Sequence, residues 1–202
     1  DFVKTSEDMA LLCQTPSTVL GSCRYKLPTV EENEQIYKTI TDCFDRHNIK
    51  AFFYIGGNDS MDTVNKLSAY YKKIGMDIKV IGVPKTIDND LCETDHTPGF
   101  GSAAKYVATT LQEIVCDSSV YNIKSVTIVE IMGRDTGWLT AASAVLRANG
   151  EIAPHLIYLP EAHFSVQNFI KDLKRVQQSR RAVVVAVSEG IEIVGGTGGG
   201  GG

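Results

Sequence analysis

The 202-residue chain has no run of eighteen consecutive apolar residues, the length a helix needs to cross a bilayer. Its opening, Asp1-Phe2-Val3-Lys4-Thr5, lacks the charged-then-apolar layout of a secretion signal. Neither a membrane nor an exported protein is expected, and the expectation is a soluble, cytoplasmic chain. An excess of positive charge is also missing: 20 Lys and Arg stand against 24 Asp and Glu, a net charge of -4. Nucleic acids and anionic membranes both reward a basic surface, so neither is an expected partner, although a local basic pocket fits within that sum. Cys13, Cys23, Cys43, Cys92 and Cys116 are odd in number, widely spaced and without a C-x-x-C, which predicts reduced thiols rather than a disulfide framework.

Apolar material is plentiful. With 43% hydrophobic and 22% charged residues, the chain can bury one sizeable core and is too apolar for disorder. Gly195-Gly196-Thr197 and the glycines 198–202 can neither bury a face nor hold one backbone geometry, so 195–202 is expected to be a glycine-rich tail outside the fold. The chain begins with Asp1 rather than Met and shows no interior linker or repeat. Residues 1–194 are therefore expected to form one α/β domain, cut short at both ends.

Ile36, Ile40 and Phe44 fall four apart within 31–48, one stripe of a helix. Ala51-Phe52-Phe53-Tyr54-Ile55, halted by Gly56-Gly57, has the pattern of a strand buried on both faces. Met61, Val64, Leu67, Tyr71 and Ile74 then predict a helix, with Gly75 as its cap. The alternation continues with strand 78–83, a polar loop 84–99, and a helix through Val107, Leu111 and Ile114. Strand 126–131, helix 138–148, strand 156–159, helix 166–177 and strand 182–187 complete it. Strands separated by helices need crossovers, so the predicted fold is an open, doubly wound, mostly parallel α/β sheet with helices on both faces.

Ligands of such sheets bind beyond the carboxyl ends of the strands. Four segments there carry polar groups. At Gly56-Gly57-Asn58-Asp59-Ser60 a strand turns directly into a helix, a place where an anion can approach the backbone, though a plain turn reads the same way. Pro84-Lys85-Thr86-Ile87-Asp88-Asn89-Asp90 gathers two carboxylates, an amide, a hydroxyl and an ammonium. A proton acceptor, a metal ligand and a phosphate counter-charge are what phosphoryl transfer to a hydroxyl requires; the bland alternative is a hydrated acidic loop. Glu130-Ile131-Met132-Gly133-Arg134-Asp135-Thr136-Gly137 offers a guanidinium fork suited to phosphate or to a surface ion pair. Leu159-Pro160-Glu161 places an acid after a short strand, as fit for a sugar hydroxyl as for a helix N-terminus.

Together with Thr18-Val19-Leu20-Gly21-Ser22-Cys23-Arg24, these segments resemble the phosphofructokinase family over about 18–191. The family's T-x-L-G-S-x-R, phosphate loop, T-I-D-N-D, M-G-R and P-E occur in that order. The resemblance implies that Asp88 accepts the proton of the sugar 1-hydroxyl. It implies that Thr86, Ile87, Met132, Gly133, Arg134 and Glu161 hold fructose 6-phosphate, that Arg24, Gly57 and Ser60 hold the phosphoryl donor, and that Asn58 and Asp90 lie at Mg2+, the implied cofactor. A homo-oligomer, dimer or tetramer, is implied as well. The family's N-terminal G-G-x-x-x-G-x-N turn and second sugar-binding lobe are not found, so the chain resembles a fragment of a larger two-lobed subunit.

The donor follows from the same resemblance. Nucleotide-using members usually read G-G-D-G-S, whereas diphosphate-using members carry an acid at the fourth place and a lysine just before T-I-D-N-D. Here these are Asp59 and Lys85. The Asp59 carboxylate would repel an ATP α-phosphate while leaving room for inorganic diphosphate, and Lys85 would offset charge in the transition state. The implied reaction forms fructose 1,6-bisphosphate from fructose 6-phosphate and diphosphate, a reversible glycolytic step. The alternatives are an ATP-dependent 6-phosphofructokinase and a non-catalytic, sugar-phosphate-binding regulatory subunit. Two positions depart from the family pattern. Asn58 replaces a magnesium-contacting aspartate, with an amide oxygen still able to ligate, and Ser125, beside Lys124, stands where nucleotide-dependent members tend to have an arginine.

Other residues invite a blander reading. His96, four from Cys92, has no second Cys/His pair to complete a metal site. Tyr70, Tyr71 and Trp138 fit helix faces, and Lys171, Lys174, Arg175, Arg180 and Arg181 are expected on one solvated late helix.

Overall fold

A computed structural model describes residues 3–16, 18–19, 21–148, 150 and 154–193; the tail expected at 195–202 lies outside the described residues. The chain divides into two compact units, Asp1–Pro84 and Lys85–Gly202.

The first unit opens with a helix that the periodicity does not reveal, α1 (Ser6–Gln14). Only nine residues long, it buries none of them. Its signal lies instead in a capping box: the Thr5 hydroxyl accepts from the Asp8 N–H at 3.1 Å, and the Asp8 carboxylate accepts from the Thr5 N–H at 2.9 Å. Helix α2 (Glu34–Arg46) inserts Tyr37 and Phe44 into a core with Leu27, Leu67, Tyr70 and Tyr71, while Ile36 and Ile40 pack at its margin. Strand β1 (Ala51–Gly56), helix α3 (Asn58–Ile74) and strand β2 (Lys79–Pro84) form a crossover unit with β1 and β2 parallel, Ala51 opposite Lys79 and Gly56 opposite Pro84. Gly75 ends α3 in the left-handed region at φ 70°, where a Cβ would be strained.

Strand β1 corrects one expectation. Phe52 packs against the core, but Phe53 and Ile55 on the opposite face are 60% and 62% exposed, and Ile81 and Val83 of β2 are exposed too. The helices of this unit cover only one face of its two-stranded sheet, so an unbroken apolar run here does not mean burial on both sides.

In the second unit, β3 (Ser125–Ile131), β4 (Leu156–Tyr158) and β5 (Ala182–Ser188) form a parallel sheet in the order β3-β5-β4. Central β5 buries Val183, Val184, Val185 and Ala186 completely, each valine stabilising the fold by about 1.5–3 kcal/mol. On one face α4 (Phe100–Ser119), α5 (Trp138–Ala142) and α6 (Val145–Ala148) enclose Leu111, Ile131, Leu139, Leu146, Val184 and Ala186. On the other, α7 (Val166–Val176) packs Phe169 and Leu173 over Leu156, Val183 and Val185. The doubly wound arrangement is thus realised here. The helix expected over 138–148 is two short helices separated by a tighter turn at Ser143 and Ala144, where the backbone bonds run to the third residue back and the Ser143 hydroxyl donates to the Thr140 carbonyl at 2.6 Å.

Among the described residues no helix is long and apolar enough to cross a membrane. All five cysteines are free and exposed.

Candidate active site

Parallel pairing puts the carboxyl ends of β3, β4 and β5 on one side of the second unit. The segments that follow them are tied together by hydrogen bonds. After β3 the chain turns at Gly133, whose φ of 132° favours glycine. The Gly133 N–H donates to Glu189 Oε1 at 3.1 Å, and its carbonyl accepts from the Ser188 hydroxyl. Gly190 packs directly beneath the Arg134 carbonyl, where a Cβ would collide with that oxygen. The Gly137 N–H, at the start of α5, donates to Glu161 Oε1 at 2.8 Å. Of the two roles open to Glu161, the geometry realises the helix N-terminal one, on α5.

The Lys85–Asp90 segment joins this network through its backbone. The Asp88 N–H donates to Thr86 Oγ1 at 3.0 Å, and the Asp88 carbonyl accepts from Thr136 Oγ1 at 2.9 Å. Asn89 lies in the left-handed region at φ 59°, which asparagine tolerates better than most residues. Its side chain accepts from the Thr97 N–H at 2.8 Å and donates to the Asp95 carbonyl at 3.2 Å, bracing the loop. Lys85 is exposed, while Thr86, Ile87, Asp88 and Asp90 are half-buried.

Asp88 carries the unusual chemistry. Its Oδ1 is buried without a hydrogen-bond partner. Burial pushes its pKa above the ordinary aspartate value, the negative charges of Asp90, Glu189 and Asp135 add to that, and Arg134 opposes it. A half-buried carboxylate under the opposed fields of acids and a guanidinium is a candidate proton acceptor. Among the described residues no three His, Cys, Asp or Glu side chains gather as a metal cage; Asp90, beside Asp88 with its orphaned oxygen, offers hard oxygen donors of the kind Mg2+ takes when phosphates supply its other ligands.

Glu189 is the residue that the sequence reading passes over. Its signal was available: it directly follows a strand of a parallel sheet, the same position that singled out the other segments. Met132, Arg134 and Glu161 are exposed; Gly133 and Gly137 are buried.

The remaining predicted residues belong to the first unit. Gly56 ends β1 buried against Ser60, whose side chain a Cβ on Gly56 would strike. Gly57 begins α3 with open space around its Cα, and Asn58, Asp59 and Ser60 form the first turn, with Asn58 and Asp59 exposed. No side chain caps α3; the Ser60 and Met61 N–H groups donate to the Gly57 carbonyl, which leaves those of Asn58 and Asp59 as the ones an anion could use, on the same turn as the Asp59 carboxylate. Arg24 is exposed and lies outside any helix or strand.

His96 stacks edge-on against Phe100 with ring centroids 5.5 Å apart, a packing role. Tyr70 and Tyr71 are buried in the first core. Arg180 and Arg181 are not on the late helix, which ends at Val176; they line a cavity of about 440 Å³ with His155 and Tyr121, at the opposite ends of the strands from Asp88.

The family model for phosphofructokinase matches residues 2–199. The chain belongs to that family. It is 41% identical over 198 residues to the pyrophosphate–fructose 6-phosphate 1-phosphotransferase of Xanthomonas campestris pv. campestris, covering 95% of this chain and 47% of that one. The protein of the same name from Rhodospirillum rubrum is 44% identical over 188 residues, covering 93% and 45%. The crystal structure of a pyrophosphate-dependent phosphofructokinase from Marinobacter aquaeolei superimposes with a TM-score of 0.77 at 39% identity, covering 95% of this chain and 47% of that one. The chain spans about half the length of the curated relatives it matches.

Proposed function

We propose that the protein transfers a phosphoryl group from inorganic diphosphate to the 1-hydroxyl of fructose 6-phosphate, giving fructose 1,6-bisphosphate. The observation that carries this reading is Asp88: a half-buried carboxylate with an unpartnered oxygen and a raised pKa, within the field of Arg134. The names of the relatives support the donor.

In this reading Asp88 takes the proton of the attacking hydroxyl, and its raised pKa makes it a stronger base than an ordinary aspartate. Arg134 binds the sugar phosphate as a planar fork, on the turn set by Met132 and Gly133. Thr86 and Ile87 line the sugar, and Glu161 offers it Oε2 while Oε1 stays on Gly137. Gly57, Ser60 and Arg24 receive the donor, Asp59 turns away an α-phosphate by charge, and Lys85 offsets negative charge as the diphosphate bridge breaks. Asp90, and on the first unit Asn58, are the proposed Mg2+ contacts, the ion supplying neutralisation of phosphate charge. A homo-oligomeric, cytoplasmic enzyme of reversible glycolysis is the accompanying proposal.

The test is turnover of the full-length protein on fructose 6-phosphate with diphosphate or ATP as donor. Turnover with diphosphate alone supports the proposal; turnover with ATP and none with diphosphate overturns the donor.

A further inference from the structure

The Asp88 carboxylate is held by its backbone alone: neither oxygen of the side chain takes part in a hydrogen bond among the described residues, and Oδ1 is buried without a partner. Its position is therefore set by the two main-chain groups on either side of its Cα. Both are bound by threonine hydroxyls. Thr86 belongs to the same loop, two residues away. Thr136 comes from the segment after β3, 48 residues on, and joins the Asp88 carbonyl to the turn that carries Arg134.

That segment is itself clamped at both ends, Gly133 by Ser188 and Glu189 and Gly137 by Glu161. Thr136 is half-buried between these fixed points, so its hydroxyl transmits their rigidity to Asp88. On the other side, Asn89 fixes the chain to Asp95 and Thr97 but leaves the distance from Asp88 to the arginine turn undetermined. We infer that Thr136 is a positioning residue, whose hydroxyl holds the Asp88 backbone at a set distance from the Arg134 turn and so aims the carboxylate at the hydroxyl it deprotonates. The inference rests on the reading of Asp88 as the base. Small displacements of a reacting group are costly because the attacking and accepting atoms must meet within a few tenths of an ångström of the productive geometry.

The experiment uses the full-length protein with Thr136→Val, Thr136→Ser, Asp88→Asn and the double variant Asp88→Asn/Thr136→Val, assayed with fructose 6-phosphate and whichever donor the parent uses. Thr136→Val is expected to lower kcat by about ten- to a hundred-fold with KM for both substrates changed less than about three-fold. Thr136→Ser restores the rate, and Thr136→Val costs nothing further once Asp88 is Asn. An unchanged kcat in Thr136→Val, a loss confined to KM, or an equal loss in the Asp88→Asn background overturns the inference and leaves the base intact. Wild-type turnover by Asp88→Asn overturns the functional reading and the inference with it. Hydrogen exchange over 86–97 in substrate-free Thr136→Ala provides a measure independent of activity: faster exchange than the parent supports the link, and unchanged exchange overturns it.

Discussion

Glu161 Oε1 accepts the Gly137 N–H at 2.8 Å across 24 residues of sequence, joining the end of β4 to the start of α5. A Cβ on Gly137 would come within 2.8 Å of both Glu161 Oε2 and Pro160 Cδ, so the glycine is what permits the carboxylate to sit there. Glu161→Ala leaves that buried N–H without an acceptor and is expected to lower stability by about 1–3 kcal/mol, read from the denaturant midpoint. Glu161→Gln, which keeps an acceptor oxygen, recovers most of the loss.

Asp88→Asn is expected to remove nearly all turnover and to stabilise the fold. A carboxyl whose folded pKa is raised contributes stability that is fully present below the unfolded value, about 3.9, and lost as pH rises through the folded one. The thermal midpoint of the asparagine variant therefore exceeds that of the parent by more at pH 7 than at pH 4. Equal midpoints at both values would show that burial and the neighbouring acids do not strain the ionised form.

His155 responds in the opposite sense. Its Nδ1 accepts the Val184 N–H at 3.0 Å, a bond open only to the unprotonated nitrogen. Burial is the largest of the effects that push its pKa below 6.5. The stability it contributes is present above the unfolded value, about 6.5, and is lost as pH falls through the lower folded one. Denaturation midpoints measured from pH 7.5 to pH 5 should fall more steeply for the parent than for His155→Asn, which keeps an acceptor and does not titrate.

Asp59→Gly tests donor exclusion. The carboxylate stands exposed in the first turn of α3, which no side chain caps. Its removal is expected to tighten ATP binding at least ten-fold and to lower turnover with diphosphate, both measured on the full-length protein. Unchanged preference would mean that charge at Asp59 does not select the donor.

The strand–helix alternation was readable because local periodicity reports which side of an element is apolar. It placed β1 to β5 and α2 to α4 and α7 within a few residues. It missed α1, a short helix none of whose residues is buried, and the break at Ser143, where the backbone tightens by a local change of hydrogen-bond partner that a continuous apolar pattern does not mark. The chemistry-bearing segments were legible for the same reason: Asp88, Arg134 and Glu161 each follow a predicted strand. Glu189 follows one too and was passed over, since a lone acid after a valine-rich strand has no local partner to mark it.

The amino-acid order alone determined the α/β alternation, the family and the loops that hold charged groups, because each is a property of a few consecutive residues. Only the tertiary structure decided that β1 keeps one face bare, that Glu161 binds a backbone N–H, and that Asp88 is half-buried among acids with its carbonyl on Thr136. Those outcomes depend on groups 24 to 48 residues apart in sequence meeting at hydrogen-bond distance, and on which surfaces the packed helices cover. No periodicity along the chain encodes either.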